Sequence, residues 1–382
     1  MLTTDLLEFH AFCLTDTGAR LQQYAAALNR VIKPGDTVLD LGAGLGVLGI
    51  LSCRAGARRV HAVESSDAWA LGRDVVRAAG LDDRVTWLHA SSFDIRLDEP
   101  VDVIVADVHA PSGLQESGLS ALIDARQRLL KPGGAVIPGE LQLVVAPVEA
   151  HEPYQRRLGV WEQRVMDVDL SQVRAAAANR PYPARFTERH LLAPLMPLGP
   201  PVHLATATER RTGGSAASIV ERAGTLHGVC LCFISTLAPG ITLRNAPGDA
   251  DTTNFAHTFL PIESPVEVAT GDQLDIQADL LDGLEMRWRV TVTAATSGRR
   301  HRVEQSTLFA GPLSSGALQR EREDYCPRLT ARGRLEQELL GRFDGSTPAT
   351  ALRAWLEAHA GPELPSPRSR ALLLKEAIAR CG

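Results

Sequence analysis

A glycine-rich stretch that follows a short apolar run contains the first residues whose types and spacing suggest chemistry. The run TVLDL carries Asp40 near its end, and Gly42, Gly44 and Gly46 follow within VLDLGAGLG. Glycine has no Cβ, so a loop rich in it lets the backbone approach a ligand closely. The four residues therefore predict a ligand-binding turn between a strand and a helix.

A second acidic position favours one class of ligand. Glu64, followed by Ser65, closes the next apolar run in VHAVESS, where an acidic group can accept hydrogen bonds from both ribose hydroxyls. The carboxylate of Asp40 repels a diphosphate but attracts an ammonium or a sulfonium, and S-adenosylmethionine carries both cations. The alternatives are a dinucleotide bound at the literal Gly-x-Gly-x-x-Gly of residues 44–49 and a turn that binds nothing.

The elements that must position these residues alternate along the first third of the chain. Val-, Ile- and Leu-rich runs and helix-compatible stretches follow one another between about 20 and 145, which indicates a Rossmann-like α/β sheet. Strand-like segments punctuated by Gly and Pro dominate from there to 311 and favour an antiparallel β-barrel or sandwich. Apolar residues at helical spacing then predict a small helical or winged-helix module. The expected domains are 1–144, 145–311 and 312–382.

Composition narrows the classes of partner. The 382 residues include 40 Lys and Arg and 45 Asp and Glu, so the formal net charge of −5 gives no general attraction to nucleic acid or to an anionic membrane. None of the six cysteines has zinc-ligand spacing, and the N-terminal MLTTDLLEFH lacks the basic start of a secretion signal. We expect a cytoplasmic protein without a metal, a nucleic-acid partner or a membrane partner.

The segment VDVIVADVHAPSGLQESGL, taken together with the glycine loop, resembles the protein arginine methyltransferase family of class I S-adenosylmethionine-dependent enzymes. That family carries two glutamates nine residues apart on a hairpin, and Asp107 and Glu116 have the same separation. The resemblance continues through WEQRVMDVDLSQV, where the family has its dimerisation arm, here about 161–195, and ends near Gly311. It implies arginine N-methylation of a peptide, a protein or a small metabolite by a homodimer, with S-adenosylhomocysteine as the second product. The module from 312 is an addition to the family core.

The two acids suit a guanidine acceptor. A guanidinium stays protonated in water and its nitrogen lone pairs are delocalised, so it is a poor nucleophile. Asp107 and Glu116 could grip the planar cation, orient one nitrogen toward the sulfonium methyl and stabilise charge localised on the others.

The resemblance also implies contacts for residues outside the glycine loop and the acidic pair. On the cofactor side it points to a histidine, to an arginine that pairs with the methionine carboxylate, and to two residues beside the adenine: His10, Arg20, Ser92 and Phe93. On the acceptor side it points to His109 and Asn254.

Several substitutions on the acceptor side keep two alternatives open. Asp107 is one methylene shorter than the family's glutamate, and Thr253, Asn254 and Phe255 stand where the family has Thr-His-Trp. One alternative is an O-methyltransferase of a small molecule or peptide with His109 as general base. The other is a catalytically weak, cofactor-binding partner subunit.

Overall fold

The computed structural model describes residues 4–15, 20–248, 253–283, 285–311, 314–320, 322–362 and 364–381. The chain divides into two compact units, Met1–Pro312 and Leu313–Gly382.

The first unit begins with two helices that precede a five-stranded parallel sheet. The helices of this part are α1 (Thr4–Thr15), α2 (Arg20–Val31), α3 (Val47–Arg54), α4 (Ala68–Ala78) and α5 (Gly118–Leu129). The strands are β1 (Thr37–Leu41), β2 (Arg59–Glu64), β3 (Val85–His89), β4 (Val101–Ala106), a short hairpin of β5 (His109–Ala110) and β6 (Gly113–Leu114), and β7 (Leu130–Ile137).

The order of the parallel strands determines where a ligand can bind. The sheet runs β3-β2-β1-β4-β7, so the strand order reverses between β1 and β4. These two central strands are buried over almost their whole length, as expected of parallel strands. Ligands of open α/β sheets bind outside the carboxyl ends of the strands at such a reversal. The predicted Rossmann-like sheet is confirmed.

The rest of the first unit is dominated by antiparallel strands. They are β8 (Glu140–Val148), β9 (Arg164–Val165), β10 (Val168–Asp169), β11 (Tyr182–Ala184), β12 (Met196–Pro197), β13 (Val202–His203), β14 (Arg211–Ile219), β15 (Gly224–Ala238), β16 (Ile241–Arg244), β17 (His257–Val268), β18 (Gln273–Leu281), β19 (Glu285–Thr293) and β20 (Arg300–Ser306). Two helices, α6 (His151–Arg157) and α7 (Arg174–Ala178), and four 3-10 turns, Gly159–Glu162, Ser171–Val173, Glu188–His190 and Thr307–Phe309, interrupt them.

These strands form two main sheets, and the described strands do not close into a barrel. One sheet has the order β11-β17-β15-β8-β12, with β13 on β8 and β16 on β15, and the other has the order β14-β18-β19-β20. Trp288 of β19 is fully buried and donates its indole N–H to the carbonyl of Pro261 in β17 at 2.8 Å, which ties the sheets together. The expected domain boundary at 144/145 falls inside β8.

A projecting hairpin lies where the dimerisation arm is expected. β9 and β10 pair through Val165 and Val168, and Met166 and Asp167 between them have φ values of 49° and 64°. Positive φ at both central residues is typical of a two-residue hairpin turn. The side chains of the hairpin are largely exposed, Met166 to 93%.

The second unit is a separate helical module. Its helices are α8 (Ser315–Arg320), α9 (Ala331–Leu340), α10 (Ala349–His359) and α11 (Pro367–Cys381). Leu339, Leu352, Leu356 and Leu374 belong to its own apolar core. The described part of this unit contains helices and no strand. It therefore agrees with the expected small helical module, whereas a winged helix would also need a β-hairpin. None of the helices described for either unit is long and apolar enough to cross a membrane.

Candidate active site

Three carboxylates lie at the carboxyl edge of adjacent parallel strands. Asp40 is the fourth residue of β1, Glu64 ends β2, and Asp107 directly follows β4. The strand order β2-β1-β4 makes these three strands neighbours, and Asp40 pairs in register with Val105 of β4. The topology therefore brings acids that are distant in sequence to one edge of the sheet.

The glycine loop needs glycine for two different reasons. Gly42, Gly44 and Gly46 all have positive φ, between 52° and 76°, which other residues adopt only at a cost. At Gly44 a Cβ would also lie 2.5 Å from Cε1 of His10 in α1, whereas at Gly46 it would press on the ring of Trp87 at 3.0 Å. Gly44 thus lets the loop backbone lie close to His10, and Gly46 lets Trp87 pack beneath the loop.

Glu64 fixes the shape of this loop. One of its carboxylate oxygens accepts the backbone N–H of Gly44 at 2.9 Å, and the other accepts that of Ser66 at 2.8 Å. Each oxygen has a second lone pair, so the carboxylate can hold the loop and still accept a hydrogen bond from a ligand.

Asp40 is buried beneath the loop. It is 1% exposed, and neither of its oxygens makes a hydrogen bond of ordinary geometry to the described residues. Burial raises the pKa of Asp40 to about 7, with further increases from the charges of Glu64 and Asp107, while the nearby N–H of Gly49 opposes the rise. The site therefore holds an uncompensated acidic group that a cation would stabilise.

Arg20 forms a buried ion pair with Asp107. Nε of Arg20 donates to Oδ2 of Asp107 at 2.5 Å, and Nη2 donates to the same oxygen. The Asp107 charge raises the pKa of Arg20 despite the opposing effect of burial. Burial likewise opposes ionisation of Asp107, but the hydrogen bond with His109 and the Arg20 charge hold its pKa below the ordinary value. Nη1 of Arg20 is buried and makes no hydrogen bond of ordinary geometry to the described residues, while the Cys13 thiol beside the guanidinium also raises the pKa of Arg20.

The side chains of Tyr24 and His109 pack next to Asp107 on the side of the protein core. Tyr24 donates its hydroxyl to the carbonyl of Ala106 at 2.8 Å and lies 3.3 Å from Nδ1 of His109. Nδ1 of His109 is also 3.3 Å from Oδ1 of Asp107, and its ring stacks on Phe233 at 5.1 Å. His109 is 4% exposed, so it faces the protein core and cannot meet an acceptor directly, which weakens its expected roles in substrate binding and as a general base.

One cavity of about 340 Å³ joins the glycine loop to Asp107. The residues of the expected site that line it are His10, Arg20, Gly42, Gly44, Glu64, Ser65 and Asp107. Asp40 and Gly46 lie outside the lining, packed beneath the loop. Ser92 and Phe93 also lie outside it: Phe93 is 47% exposed, and the carbonyl of Ser92 accepts a hydrogen bond from Arg128. The structure therefore does not bring the expected adenine-contacting pair to this cavity.

The β5–β6 hairpin places Glu116 across from Asp107. The pair His109–Leu114 belongs to the hairpin ladder, and the N–H of Gln115 donates to the carbonyl of Val108 at 2.8 Å. Asp107 precedes Val108 and Glu116 follows Gln115, so these two acids occupy the next pair of facing positions, where the hairpin opens. This facing arrangement accounts for their separation of nine residues. Glu116 is exposed and outside the cavity lining, whereas its neighbour Gln115 lines it.

Asn254 belongs to a loop that closes over the N-terminal helices. Its side-chain Nδ2 donates to the carbonyl of Phe12 in α1 at 2.7 Å. The next residue, Phe255, is buried, and the Arg20 guanidinium lies over its ring at 5.1 Å. Asn254 does not line the cavity and its side chain contacts α1, so its expected contact with substrate stays a prediction.

Some residues that shape the site carry no sequence signal of their own. Asn245 is fully buried, and its side chain accepts the N–H of Phe233 and donates to the carbonyls of Pro111 and Ala256. Asp282 accepts hydrogen bonds from the N–H and hydroxyl of Ser120 at the start of α5. A lone Asn or Asp in a loop is too common for sequence inspection to single out. The described residues include no cluster of three or more His, Cys, Asp or Glu that could hold a metal ion.

Comparisons of the amino-acid sequence identify relatives of known type. The family model described as ribosomal protein L11 methyltransferase matches residues 22–141. The chain is 32% identical over 289 residues to protein arginine N-methyltransferase 6 of Xenopus laevis, an alignment that covers 72% of this chain and 83% of that protein. It is 35% identical over 176 residues to a probable protein arginine N-methyltransferase 6 of Arabidopsis thaliana, covering 44% of this chain but only 40% of that relative.

Solved structures resemble about four-fifths of the chain. The Trypanosoma brucei PRMT1 enzyme-prozyme heterotetrameric complex with AdoHcy matches with a TM-score of 0.70 at 22% identity, covering 78% of this chain and 97% of that one. Arabidopsis thaliana protein arginine methyltransferase 10, in an open conformation, matches with a TM-score of 0.67 at 23% identity, covering 79% and 98%. At this level of identity the similarity establishes the fold.

The raised pKa of Asp40 leads to a prediction about stability. Because its pKa is about 7 in the folded chain and ordinarily 3.8, the folded state binds this proton more tightly, and stability falls as the pH rises from about 4 to about 7. We expect Asp40→Asn to match the wild type near pH 4 and to exceed its unfolding free energy by about 2 to 4 kcal/mol above pH 7. Urea unfolding across this range measures the difference. Asp82→Asn, at an exposed carboxylate, should keep the wild-type profile; if Asp40→Asn also kept it, Asp40 would be ionised throughout.

Proposed function

The chain belongs to the protein arginine N-methyltransferase family of class I S-adenosylmethionine-dependent methyltransferases, and from this premise we propose that it transfers the methyl group of S-adenosylmethionine to a guanidine nitrogen. The acceptor is an arginine of a peptide or protein, or a small guanidine metabolite. A single observation carries the proposal: one cavity is lined both by the glycine loop with Glu64 and by Asp107. Cofactor and acceptor could therefore meet there.

The residues of the cavity fit the cofactor. Arg20 uses Nε and Nη2 to hold Asp107, and its buried Nη1 remains for the methionine carboxylate. Glu64 retains lone pairs for the ribose hydroxyls, and the buried carboxylate of Asp40 favours a cationic ligand. When bound, S-adenosylmethionine supplies an electrophilic methyl group on a sulfonium, and S-adenosylhomocysteine is left after transfer.

In the proposed mechanism the hairpin acids orient the acceptor. Asp107 and Glu116 hold two edges of the guanidinium from opposite sides of the hairpin mouth, so that the remaining nitrogen faces the methyl group. Transfer from the bound cofactor would form an N–C bond as the C–S bond breaks, and the proton lost by the methylated nitrogen would pass to solvent through the exposed Glu116 carboxylate. Arg20 and His109 keep the Asp107 carboxylate ionised, and Tyr24 packs beside His109 and bonds Ala106, so this arrangement acts by positioning and electrostatics.

We assign acceptor recognition and dimerisation to the antiparallel sheets. The arm exposes four apolar residues: Val165, Met166 and Val168 in the hairpin, and Val173 in the 3-10 turn that follows it. Burial of the exposed hairpin by a second copy would be favourable, and a cyclic dimer would bury the hairpins of both copies. The exposed apolar side chains of this hairpin support the proposal of a homodimer.

The proposed activity can be tested directly. Purified protein is incubated with methyl-labelled S-adenosylmethionine and a mixture of arginine peptides, histone-like proteins and free guanidines, and products are identified by mass spectrometry. Label on a guanidine nitrogen supports the proposal. Label on a hydroxyl or carboxylate would favour the O-methyltransferase, and cofactor binding without transfer to any acceptor would favour the partner-subunit alternative.

Cofactor binding should depend on Glu64. We expect Glu64→Ala to weaken the affinity for S-adenosylhomocysteine at least about tenfold, or about 1.4 kcal/mol. The substitution removes the carboxylate that holds the glycine loop and that we expect to accept hydrogen bonds from the ribose hydroxyls. Isothermal titration calorimetry measures the change, and Glu99→Ala, at an exposed acid, serves as the control. Unchanged affinity for the Glu64 variant would contradict the cofactor assignment.

Turnover should depend on both hairpin acids. Asp107→Asn and Glu116→Gln preserve size but remove the charge that balances the acceptor, and each should lower turnover by about two to four orders of magnitude. Asp82→Asn is the control, and thermal unfolding separates lost activity from lost folding, which matters most for the buried Asp107. A hydroxyl acceptor needs only one base, so a near-wild-type rate for either variant would rule out the paired-carboxylate mechanism.

The arm should mediate self-association. We expect the double substitution Met166→Glu and Val168→Glu to convert a dimer to a monomer, because it places charges in a surface that must lose water on association. Light scattering at micromolar concentration gives the mass. Ile219→Glu, at a residue 57% exposed on β14, should leave the mass unchanged; a monomeric wild type would contradict the proposed dimer.

A further inference from the structure

A basic trough of about 360 Å³ adjoins the loop that carries Asn254 and Phe255. Its wall includes Arg156, Arg157 and Arg185, together with Ala256. We propose that this trough binds an acidic side chain of the acceptor peptide, a few residues from the methylated arginine, and so selects substrates with an Asp or Glu near the target. The inference rests on the proposed methyltransferase function and concerns its choice of substrate.

The charge of the trough is uncompensated. Glu152 is the one acid in its lining, and it pairs with Arg156 at 2.7 Å. Arg157 and Arg185 have no carboxylate partner among the residues that the structure describes. Two positive charges therefore remain, although the chain as a whole carries a formal charge of −5. Such a local excess is complementary to an anionic group.

Each of the two arginines makes a contact that restrains its side chain, although Arg185 is exposed. Arg157 is half-buried, with its guanidinium over the ring of Tyr182 at 5.2 Å. Nη2 of Arg185 donates to the carbonyl of Asn254 at 2.7 Å. Because other contacts fix their orientation, less conformational entropy is lost when these arginines bind a carboxylate.

The trough is one loop away from the cavity. Arg185 contacts the carbonyl of Asn254, while the next residue, Phe255, packs under Arg20, which binds Asp107. β11 also pairs Ala184 with His257, just beyond this loop. An extended peptide advances about 3.3 Å per residue, so a residue a few positions from the arginine in the cavity could reach the trough.

The test compares matched peptides. Each peptide has one arginine, with Asp or the isosteric Asn at the second to fourth positions before or after it. We expect KM for the better Asp peptide to be about fivefold lower than for its Asn counterpart, equivalent to about 1 kcal/mol, at low ionic strength. High salt should reduce the difference, since it screens exposed charges.

The double variant Arg157→Gln and Arg185→Gln should remove the preference while leaving kcat and KM for the Asn peptide near the wild-type values. Arg185→Lys should retain part of the preference, and Arg300→Gln, at an exposed arginine of β20, should retain all of it. Equal KM for the Asp and Asn peptides, or a preference that survives in the double variant, would overturn the inference.

A second readout separates this inference from the proposed function. Fluorescence anisotropy measures binding of labelled Asp and Asn peptides whether or not methyl transfer occurs. One outcome is that no peptide is methylated, but the Asp peptide binds more tightly than the Asn peptide and this difference is lost in the double variant. The proposed activity would then be wrong, and the assignment of the trough would be supported. If the peptides are methylated and bind equally, the activity stands and the trough assignment fails.

Discussion

The Arg20–Asp107 ion pair is the interaction on which the site depends. Their side chains are only 5% and 14% exposed, so both charges have lost most of their water. Removing one partner of such a pair typically costs about 3–5 kcal/mol, because the other charge is left buried and unpaired. The pair joins α2 to the end of β4, and Phe255 closes over the guanidinium from the antiparallel part of the chain. Helix α2, the end of β4 and the antiparallel part of the chain therefore meet at one pair of charges.

A second constraint arranges the loops around that pair. The buried side-chain amide of Asn245 forms hydrogen bonds with Phe233 of β15, with Pro111 in the turn of the β5–β6 hairpin, and with Ala256 in the loop that carries Asn254. A buried amide that lost one of these partners would pay a desolvation cost, so the three segments are held to one arrangement. The position of the hairpin that carries the two acids thus depends on a residue more than a hundred positions away in the chain.

The sequence predicts those features that local rules determine. Positive φ and close backbone approach require glycine at Gly42 and Gly44, and the pairing of the β5–β6 hairpin explains the nine-residue separation of Asp107 and Glu116. It does not reveal that His109 turns into the core, because Phe233 and Tyr24, which hold it there, come from distant segments. The sequence also predicts a barrel that the described strands do not close, because sheet closure depends on pairing between strands far apart in sequence, which strand-like segments alone do not reveal.

The strand order also explains why this site suits cations. Parallel strands end at one edge, and the order β2-β1-β4 gathers Glu64, Asp40 and Asp107 there. Arg20 neutralises Asp107, and two backbone N–H groups stabilise Glu64, but for Asp40 the effect of burial exceeds that of the Gly49 N–H and its pKa rises. A diphosphate would add negative charge to this edge, whereas an ammonium or sulfonium would favour the ionised form of Asp40. The same loop geometry that serves dinucleotides elsewhere is therefore directed by its acids toward a cationic cofactor and a cationic acceptor.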